Sequence, residues 1–345
     1  MSKPTRARIQ DVANKSGVSM MTVSRVLNDE SKVSEKTRSK VMLAVEQLNY
    51  RPNVSARRLA SSKSFFLGLL YDNPSASYVT QFLLGALKRC RQKGYHLVVD
   101  EADEEIKNTL ASVEDLINIT QVDGMVLLPP VCDNEQVLEL LKKANVPFVR
   151  IAPDTQLNSA PYICMDDYQA AFELTDSLIK KGHTKIAHII GDDKQGVSRL
   201  RYQGYLDALR SNKINIPPEY IVQGSFTYKS GLNAAKELLG LKNRPSAIFA
   251  ANDDMAAATI STAHMNNISV PQELAVVGFD DTQLATTVWP NISTVRQPIN
   301  EMADMAIELL VSGKLDDPSQ LKTHEIRNVL DFKVIERESS ELILK

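Results

Sequence analysis

The sequence predicts an α/β protein in which a small three-helix head and a short hinge precede a two-lobed body of doubly wound parallel sheets. Three observations favour this fold class. The first 50 residues hold short apolar stripes at helical spacing, Pro52 then disfavours helix, and short apolar runs alternate with amphipathic segments from Phe65 onward. A chain of 345 residues is also long enough to form more than one folded unit.

Charge is divided unevenly along the chain. Residues 1–63 carry 13 Lys and Arg against 5 Asp and Glu, and the rest carry 27 against 37. The head therefore has a net charge of 13 − 5 = +8 and the remainder 27 − 37 = −10. A basic unit joined to an acidic body indicates a polyanionic partner for the head, with a solvated charged face as the alternative on charge alone.

Cysteine usage and hydropathy exclude several classes of protein. Cys90, Cys132 and Cys164 are odd in number and lack CxxC spacing, which argues against a disulfide framework and a zinc site. We predict neither a metal nor a cofactor. No run of about 18 apolar residues occurs, and "MSKPTRARIQ" lacks the apolar segment of a signal peptide, so we expect a cytoplasmic protein with no membrane contact.

The head has the pattern of three short helices around one core. Gly17 allows a turn after the first helix, Ser19 can cap a second, and Ser34 can cap a third. Each helix has an apolar face, and the three faces can pack together. These faces are Ile9, Val12 and Ala13; Val23, Val26 and Leu27; and Val41, Ala44, Val45 and Leu48.

Four segments carry a resemblance to a known family. They are "IQDVANKSGVSMMTVSRVLN", "VSEKTRSKV", "LNYRPNVSARRLA" and "VVGFDD", and they closely resemble the lactose-repressor (LacI/GalR) family of bacterial transcription regulators. The resemblance covers nearly the whole chain. It implies a helix-turn-helix head (1–52), a hinge helix and linker (53–64), and a body like periplasmic binding proteins (65–345) that binds an effector and dimerises.

In a helix-turn-helix, the second helix lies in the major groove, so Met20, Met21 and Arg25 are expected to face base edges. Arg25 can donate two hydrogen bonds to guanine O6 and N7, whereas the Met thioethers would meet thymine methyls or fill space. For the Met residues alone, ordinary packing is the alternative. Phosphate contacts are predicted for Ser19, Thr22, Ser34, Thr37 and Arg38, and the set of DNA contacts is completed by Ser24 and Asn28.

The segment "NVSARRLASSKS" predicts a hinge helix too short to be stable alone in water, so we expect it to fold only on DNA. The resemblance implies that two such helices from a dimer enter the minor groove. Leu59 would wedge between base steps while Asn53 and Ala56 line the contact. Arg57 is predicted to contact a phosphate. A flexible linker is the alternative.

The body alternates strands and helices, as parallel α/β sheets do. The predicted strands are "FFLGLLY", "YHLVVD", "GMVLLPP", "PFVRI", "IAHIIG", "AIFAAND" and "LAVVGFDD". A weak internal repeat indicates two similar lobes, which the resemblance places at about 65–164 with 296–325 and at about 165–295 with 326–340. Ligands of such sheets bind beyond the carboxyl ends of strands, so a cleft between the lobes is predicted.

Polar residues follow several of these strands. Carboxylates, amides and an Arg suit the hydroxyl groups of a sugar-like ligand, and an aromatic ring suits its apolar face, although any single Asp could be a helix cap. The resemblance implies effector contacts at Asp72, Tyr78, Arg201, Phe226, Asn252 and Asp280. "PFVRIAPD" lacks a clear acidic residue where some sugar-responsive relatives have one, so no such role is assigned to Asp154.

We therefore expect a homodimeric repressor of a carbohydrate-utilisation operon that binds a pseudo-palindromic operator under the control of a sugar-like effector. A corepressor-dependent regulator that responds to a purine or another metabolite is the alternative. Paired carboxylates could also serve a glycosidase, but GxSxG, P-loop, GxGxxG and HExxH motifs are absent, so no enzyme is expected. A secreted sugar-binding protein would have no use for the basic head.

Overall fold

The computed structural model describes residues 7–27, 33–50, 63–315 and 327–341. The chain divides into two units, residues 1–65 and 66–345. The first unit contains the predicted head and the second contains the predicted body. The hinge prediction falls almost wholly on residues 51–62, which lie outside the described residues.

The described part of the head consists of α1 (Ile9–Ser16), α2 (Met20–Leu27) and α3 (Glu35–Gln47). Gly17 ends α1 in the left-handed conformation, with φ 67°, as the predicted turn requires. The hydroxyl oxygens of Ser19 and Ser34 accept hydrogen bonds from the amides of Thr22 and Thr37 at 3.2 and 3.3 Å. Both predicted caps are confirmed.

The apolar faces of these three helices form one small core, as predicted. Its buried members come from every helix: Val12, Ala13, Val23, Val26, Val41 and Ala44, with Tyr50 beyond α3. The remaining predicted positions, Ile9, Leu27, Val45 and Leu48, are partly buried against this core. The head is therefore held together by side chains on the inner faces of its helices, and the outer faces are left for other contacts.

The first sheet of the body has the strand order β11-β5-β4-β3-β1-β2, with every pair parallel. Its strands are β1 (Phe66–Tyr71), β2 (His96–Glu101), β3 (Met125–Leu127), β4 (Phe148–Ile151), β5 (Tyr162–Cys164) and β11 (Arg327–Val329). The inner strands are buried on both faces, which explains their continuous apolar sequence. Because β11 pairs with β5, the chain is still in the first lobe at Val329, slightly beyond the expected crossing at 326.

The second sheet has the strand order β7-β6-β8-β9 and is also parallel. Its strands are β6 (Ile186–Ile190), β7 (Ile221–Gln223), β8 (Ala247–Ala250) and β9 (Ala275–Val277). An antiparallel ribbon pairs β10 (Thr294–Arg296) with β12 (Lys333–Ile335). All seven predicted strands are confirmed.

Helices cover both sheets and give each lobe its own apolar core. They are α4 (Ala76–Lys93), α5 (Ile106–Asp115), α6 (Glu135–Lys143), α7 (Asp167–Lys180), α8 (Gly196–Ser211), α9 (Tyr228–Gly240), α10 (Asp253–Met265), α11 (Gln283–Thr287) and α12 (Ile299–Val311). The helix α4 begins at Ala76, because the Ser75 hydroxyl caps it by accepting from the Tyr78 amide. Within the described ranges, none of these helices is long and apolar enough to span a membrane.

Candidate nucleic-acid interface and ligand cavity

The outer face of α2 has the side chains expected to meet DNA bases. Met20, Met21 and Arg25 are exposed and Ser24 is half-buried. Val23 and Val26, on the inner face of the same helix, are buried. Met21 is 66% exposed, so it does not pack within the head. The exposure of these residues fits the predicted base-reading face.

The predicted phosphate contacts lie at helix starts. The Ser19 hydroxyl bonds to that of Thr22, and the Ser34 hydroxyl bonds to that of Thr37, each at 2.9 Å. Helix starts present free backbone N–H groups that suit phosphate oxygens. The other predicted contacts, Asn28, Asn53, Ala56, Arg57 and Leu59, lie outside the described residues.

A cavity lies between the two lobes of the body, at the carboxyl ends of both sheets. Loops after β1, β3 and β4 supply one wall, and the start of α8 with the loops after β7, β9 and β10 supplies the other. Four of the six predicted effector residues line it: Tyr78, Arg201, Phe226 and Asp280. Four polar lining residues were not predicted as effector contacts: Asn73, Ser75, Gln195 and Gln297.

Arg201 is the central charged group of the cavity. Its Nε donates to Oδ1 of Asp167 at 2.9 Å, and its Nη1 donates to the carbonyl of Ala251 at 2.6 Å. The same Nη1 lies 3.6 Å from Oδ1 of Asp280. The guanidinium also lies 3.7 Å from the ring centroid of Phe279, a cation–π contact. The Arg201 charge is therefore already paired with the buried Asp167 carboxylate, and the Asp280 carboxyl lies beside it.

Asp280 is held at the cavity wall by the side-chain amide of Gln297 and by a backbone hydrogen bond. Gln297 Nε2 donates to Oδ1 of Asp280 at 2.6 Å, and the Asp280 amide donates to the carbonyl of Val295 at 2.9 Å. Burial raises the pKa of Asp280 to about 7, against the opposing effects of Arg201 and of the Gln297 hydrogen bond. This carboxyl group can therefore accept or donate a hydrogen bond near neutral pH.

Two predicted effector residues lie outside the cavity lining. Asp72 is exposed, and the next residue, Asn73, takes its place because the Asn73 side chain accepts from the Ser75 amide and turns the chain. Asn252 is fully buried as the N-cap of α10. Its Oδ1 accepts from the Met255 amide at 3.0 Å and its Nδ2 donates to the Phe226 carbonyl at 2.8 Å, so it fixes the backbone of Phe226.

Gln195 has the clearest unmet hydrogen-bonding capacity in the cavity. Its Oε1 accepts a long bond, 3.5 Å, from Asn73 Nδ2 across the cleft. Its Nε2 is buried and has no hydrogen-bond partner among the residues that the structure describes. A Gln just before a helix shows no distinctive sequence pattern, which is why it was missed.

Polar contacts join the lobes beside the cavity. Asp254, at the start of α10, accepts from Ser75 Oγ at 3.0 Å and from Ser77 Oγ at 3.2 Å. Burial raises the pKa of Asp254, and the two serine hydrogen bonds oppose that shift. Asp154, after β4, pairs with Arg199 of α8. The lobes are thus closed on one another around the cavity.

A helix-turn-helix head on a two-lobed ligand-binding fold defines a DNA-binding regulator with a ligand domain, and sequence profiles agree with this class. Residues 8–53 match bacterial regulatory proteins of the lacI family, and residues 175–340 match a periplasmic binding protein-like domain. The chain belongs to the lacI family of bacterial transcription regulators, which confirms the predicted family and fold class.

Several relatives match along most of their length. Catabolite control protein A of Priestia megaterium is 35% identical over 303 residues, 88% of this chain and 91% of that protein. The ribose operon repressor of Escherichia coli (strain K12) is 34% identical over 315 residues, with 88% and 92% covered. The first is named as a control protein and the second as a repressor.

Solved structures show the same architecture. The lac repressor dimer bound to operator and the anti-inducer ONPF has a TM-score of 0.74 and 26% identity, with 97% of this chain and 99% of that chain covered. A complex of the transcriptional regulator CelR with cellobiose has a TM-score of 0.70 and 28% identity, with 97% and 100% covered.

Proposed function

We propose that the protein is a homodimeric repressor whose affinity for a pseudo-palindromic operator is controlled by a neutral, sugar-like ligand bound between the lobes. The observation that carries this proposal is the charge state of the cavity. Its lining residues include one cation, Arg201, which is already paired with buried Asp167 and lies beside the Asp280 carboxyl.

An anionic ligand fits this arrangement poorly. A phosphate or carboxylate group would meet no unpaired cation among the lining residues and would lie near Asp280 and Asp167. A third carboxyl, Asp253, is buried nearby and its pKa is raised by burial and by the charge of Asp280. Because burying an unpaired charge is costly, the site favours a neutral ligand over a sugar phosphate or a sugar acid.

The polar groups suit a ligand with several hydroxyls. The Asp280 carboxyl can accept a hydrogen bond from a ligand hydroxyl, and Gln195 Nε2 can donate one to a hydroxyl oxygen. A buried donor without a partner costs about 1–3 kcal/mol, so a ligand oxygen at Gln195 would recover that energy. The Phe226 ring, which also lines the cavity, can cover the apolar face of a sugar ring.

A purine-responsive corepressor mechanism is the second candidate. The Phe226 ring favours it, because a planar base can stack on that ring while its edge meets the same amide and carboxyl groups. Purines are neutral, so the charge argument admits them as well. The two candidates predict opposite changes in operator affinity when the ligand binds, because an inducer lowers this affinity and a corepressor raises it.

For the head, we propose that Met20, Met21, Ser24 and Arg25 contact bases, and that Ser19, Thr22, Ser34, Thr37 and Arg38 fix the register on phosphates. Dimerisation supports this role, because one short helix reads few base pairs and two half-sites double the contacts. The hinge contacts at Asn53, Ala56, Arg57 and Leu59 are proposed from the sequence alone.

Thermal unfolding of the full chain tests the ligand proposal. We would screen neutral sugars (D-ribose, cellobiose), anionic sugars (D-galacturonate, glucose 6-phosphate) and purines (hypoxanthine, guanine). A bound ligand at 100 times its Kd stabilises by about 2.7 kcal/mol. We expect stabilisation by a neutral sugar that Gln195→Ala weakens at least fivefold in Kd. Stabilisation by the anionic sugars alone would contradict the proposal, and stabilisation by a purine alone would favour the second candidate.

A further inference from the structure

The first turn of α8 forms an ion pair with the first lobe, between Arg199 and Asp154. Arg199 donates two parallel hydrogen bonds, from Nη1 to Oδ2 at 3.1 Å and from Nη2 to Oδ1 at 2.5 Å. Neither Asp154 nor Arg199 lines the ligand cavity. Gln195 and Val197, which lie just before Arg199 in sequence, do line it. This contact therefore positions part of the cavity wall.

Asp154 is fixed in place by its own lobe. Its amide donates to both carboxylate oxygens of Asp133, at 3.1 and 3.0 Å. Asp133 in turn accepts from Nη2 of Arg150 at 2.6 Å. Arg150 is fully buried and also donates to the carbonyls of Cys132, Thr155 and Gln156. These bonds all lie within the first lobe, so they hold Asp154 ready whether or not the lobes meet.

Gly196 provides the space in which Asp154 lies. A Cβ added at Gly196 would be 2.5 Å from Cβ of Asp154 and 2.4 Å from its Cγ. The Cβ of Asp154 cannot move away by side-chain rotation, because the Asp154 backbone is held by Asp133. The close approach of the lobes therefore requires glycine at position 196.

We propose that Asp154, Gly196 and Arg199 form a docking contact that closes the two lobes in the absence of ligand. Arg199 and Gly196 are then positioning residues, which set how much of the protein presents a closed cavity. The inference goes beyond the proposed function, because it concerns the ligand-free chain. This inference and the proposed function have separate tests, so that either hypothesis can fail without the other.

Docking by this contact has two components of different size. The Arg199 side chain is 56% exposed, and exposed ion pairs are screened by water, so the pair alone changes the ratio of closed to open protein about two- to fivefold. The fit of Asp154 against Gly196 is steric. Overpacking at such a contact is more costly, so we expect a change of about tenfold or more.

Distances between spin labels on the two lobes test the proposal in the full-length, ligand-free protein. Labels would be attached through Lys142→Cys in α6 and Glu237→Cys in α9, both exposed. Cys164→Ser would remove the half-exposed native thiol, while Cys90 and Cys132 are buried. Mixing with a tenfold excess of unlabelled chain would suppress distances between subunits, and double electron–electron resonance would report the distribution.

We expect one dominant short distance in the parent protein and a dominant longer distance in Gly196→Ala. Gly240→Ala is the matched control, because a Cβ at Gly240 has nothing within 4 Å. Arg199→Gln should raise the ratio of long to short distances two- to fivefold. Its control is Arg210→Gln, because Arg210 pairs with Asp207 in the same helix.

The proposal is overturned if Gly196→Ala gives the parent distribution, or if the parent already shows the longer distance. If Gly196→Ala does not fold, Arg199→Gln decides, and a distribution equal to that of Arg210→Gln overturns the proposal.

Discussion

The two functional regions of this protein use polar chemistry in opposite ways. In the head, the residues proposed to read DNA are exposed side chains on a helix that is anchored by an apolar core. In the body, the residues around the cavity are buried and bonded to one another. Substitutions in the head should therefore separate recognition from stability, whereas substitutions in the cavity should change both together.

The largest effect is expected for Arg201→Ala. It leaves Asp167 and Asp280 buried without their cation, and breaking a buried ion pair in this way costs about 3–5 kcal/mol. Urea unfolding of the full chain, followed by circular dichroism, would measure the free energy of unfolding. Arg210→Ala, at an exposed position of the same helix, should change it by less than about 0.5 kcal/mol. Equal effects of the two variants would show that the cavity charges are not coupled.

The next effect is expected in the core of the head. Val23 is fully buried, so Val23→Ala should lower the stability of the head by about 2–3 kcal/mol through lost burial and a residual cavity. Native-state hydrogen exchange of α2 amides would measure this loss. Met21→Ala, on the exposed face of the same helix, should leave that exchange unchanged within about 0.5 kcal/mol. Destabilisation by Met21→Ala would mean that Met21 packs rather than reads DNA.

A recognition effect without a stability effect is expected for Arg25→Ala. If Arg25 donates to a guanine, its loss should cost about 1–3 kcal/mol at one base pair in each half-site. Selection of duplexes from a random DNA pool, with parent and variant chains side by side, would show the change. An unchanged sequence profile would remove Arg25 from the reading face.

The smallest effect, expressed per pH unit, is a pH dependence of the body. The folded pKa of Asp280, about 7, lies above that of an unfolded Asp, so the folded state binds more protons between about pH 4 and pH 7. Stability should therefore fall as pH rises through that window, by up to about 1.4 kcal/mol per pH unit, and level off above it. Asp280→Asn should reduce this slope in urea unfolding series, and the slope that remains is expected from Asp253 and Asp254, whose pKa values burial also raises. A slope unchanged in Asp280→Asn would contradict the assignment to Asp280.

Sequence reasoning succeeded where the pattern is local. The helices of the head and the seven long apolar strands follow from spacing alone, and Ser19 and Ser34 are caps because of their position. The strands β5, β7, β10, β11 and β12 were missed because they are three residues long and, unlike β3 and β9, do not lie within a longer apolar run. Their place in the sheets is decided by tertiary pairing.

The cavity was predicted only in part, for a related reason. Arg201 and Asp280 were found by resemblance. The hydrogen bond of Arg201 with Asp167 was not, because Asp167 lies 34 residues from Arg201 in sequence. The choice between Asp72 and Asn73 depends on one turn after β1. The contact of Asp154 with Arg199 joins residues 45 positions apart, in different lobes, and no sequence spacing indicates it.

Fluorescence anisotropy tests directly whether a ligand in the cavity controls the affinity of the protein for DNA. The full chain would be titrated onto a duplex from the selection, with and without the neutral ligand that raises its thermal stability. We expect saturating ligand to change the Kd for DNA about 5- to 150-fold, the range of typical allosteric coupling. Gln195→Ala should need more ligand for the same change while binding DNA normally without it. A ligand that stabilises the protein but leaves the Kd for DNA unchanged would contradict the claim.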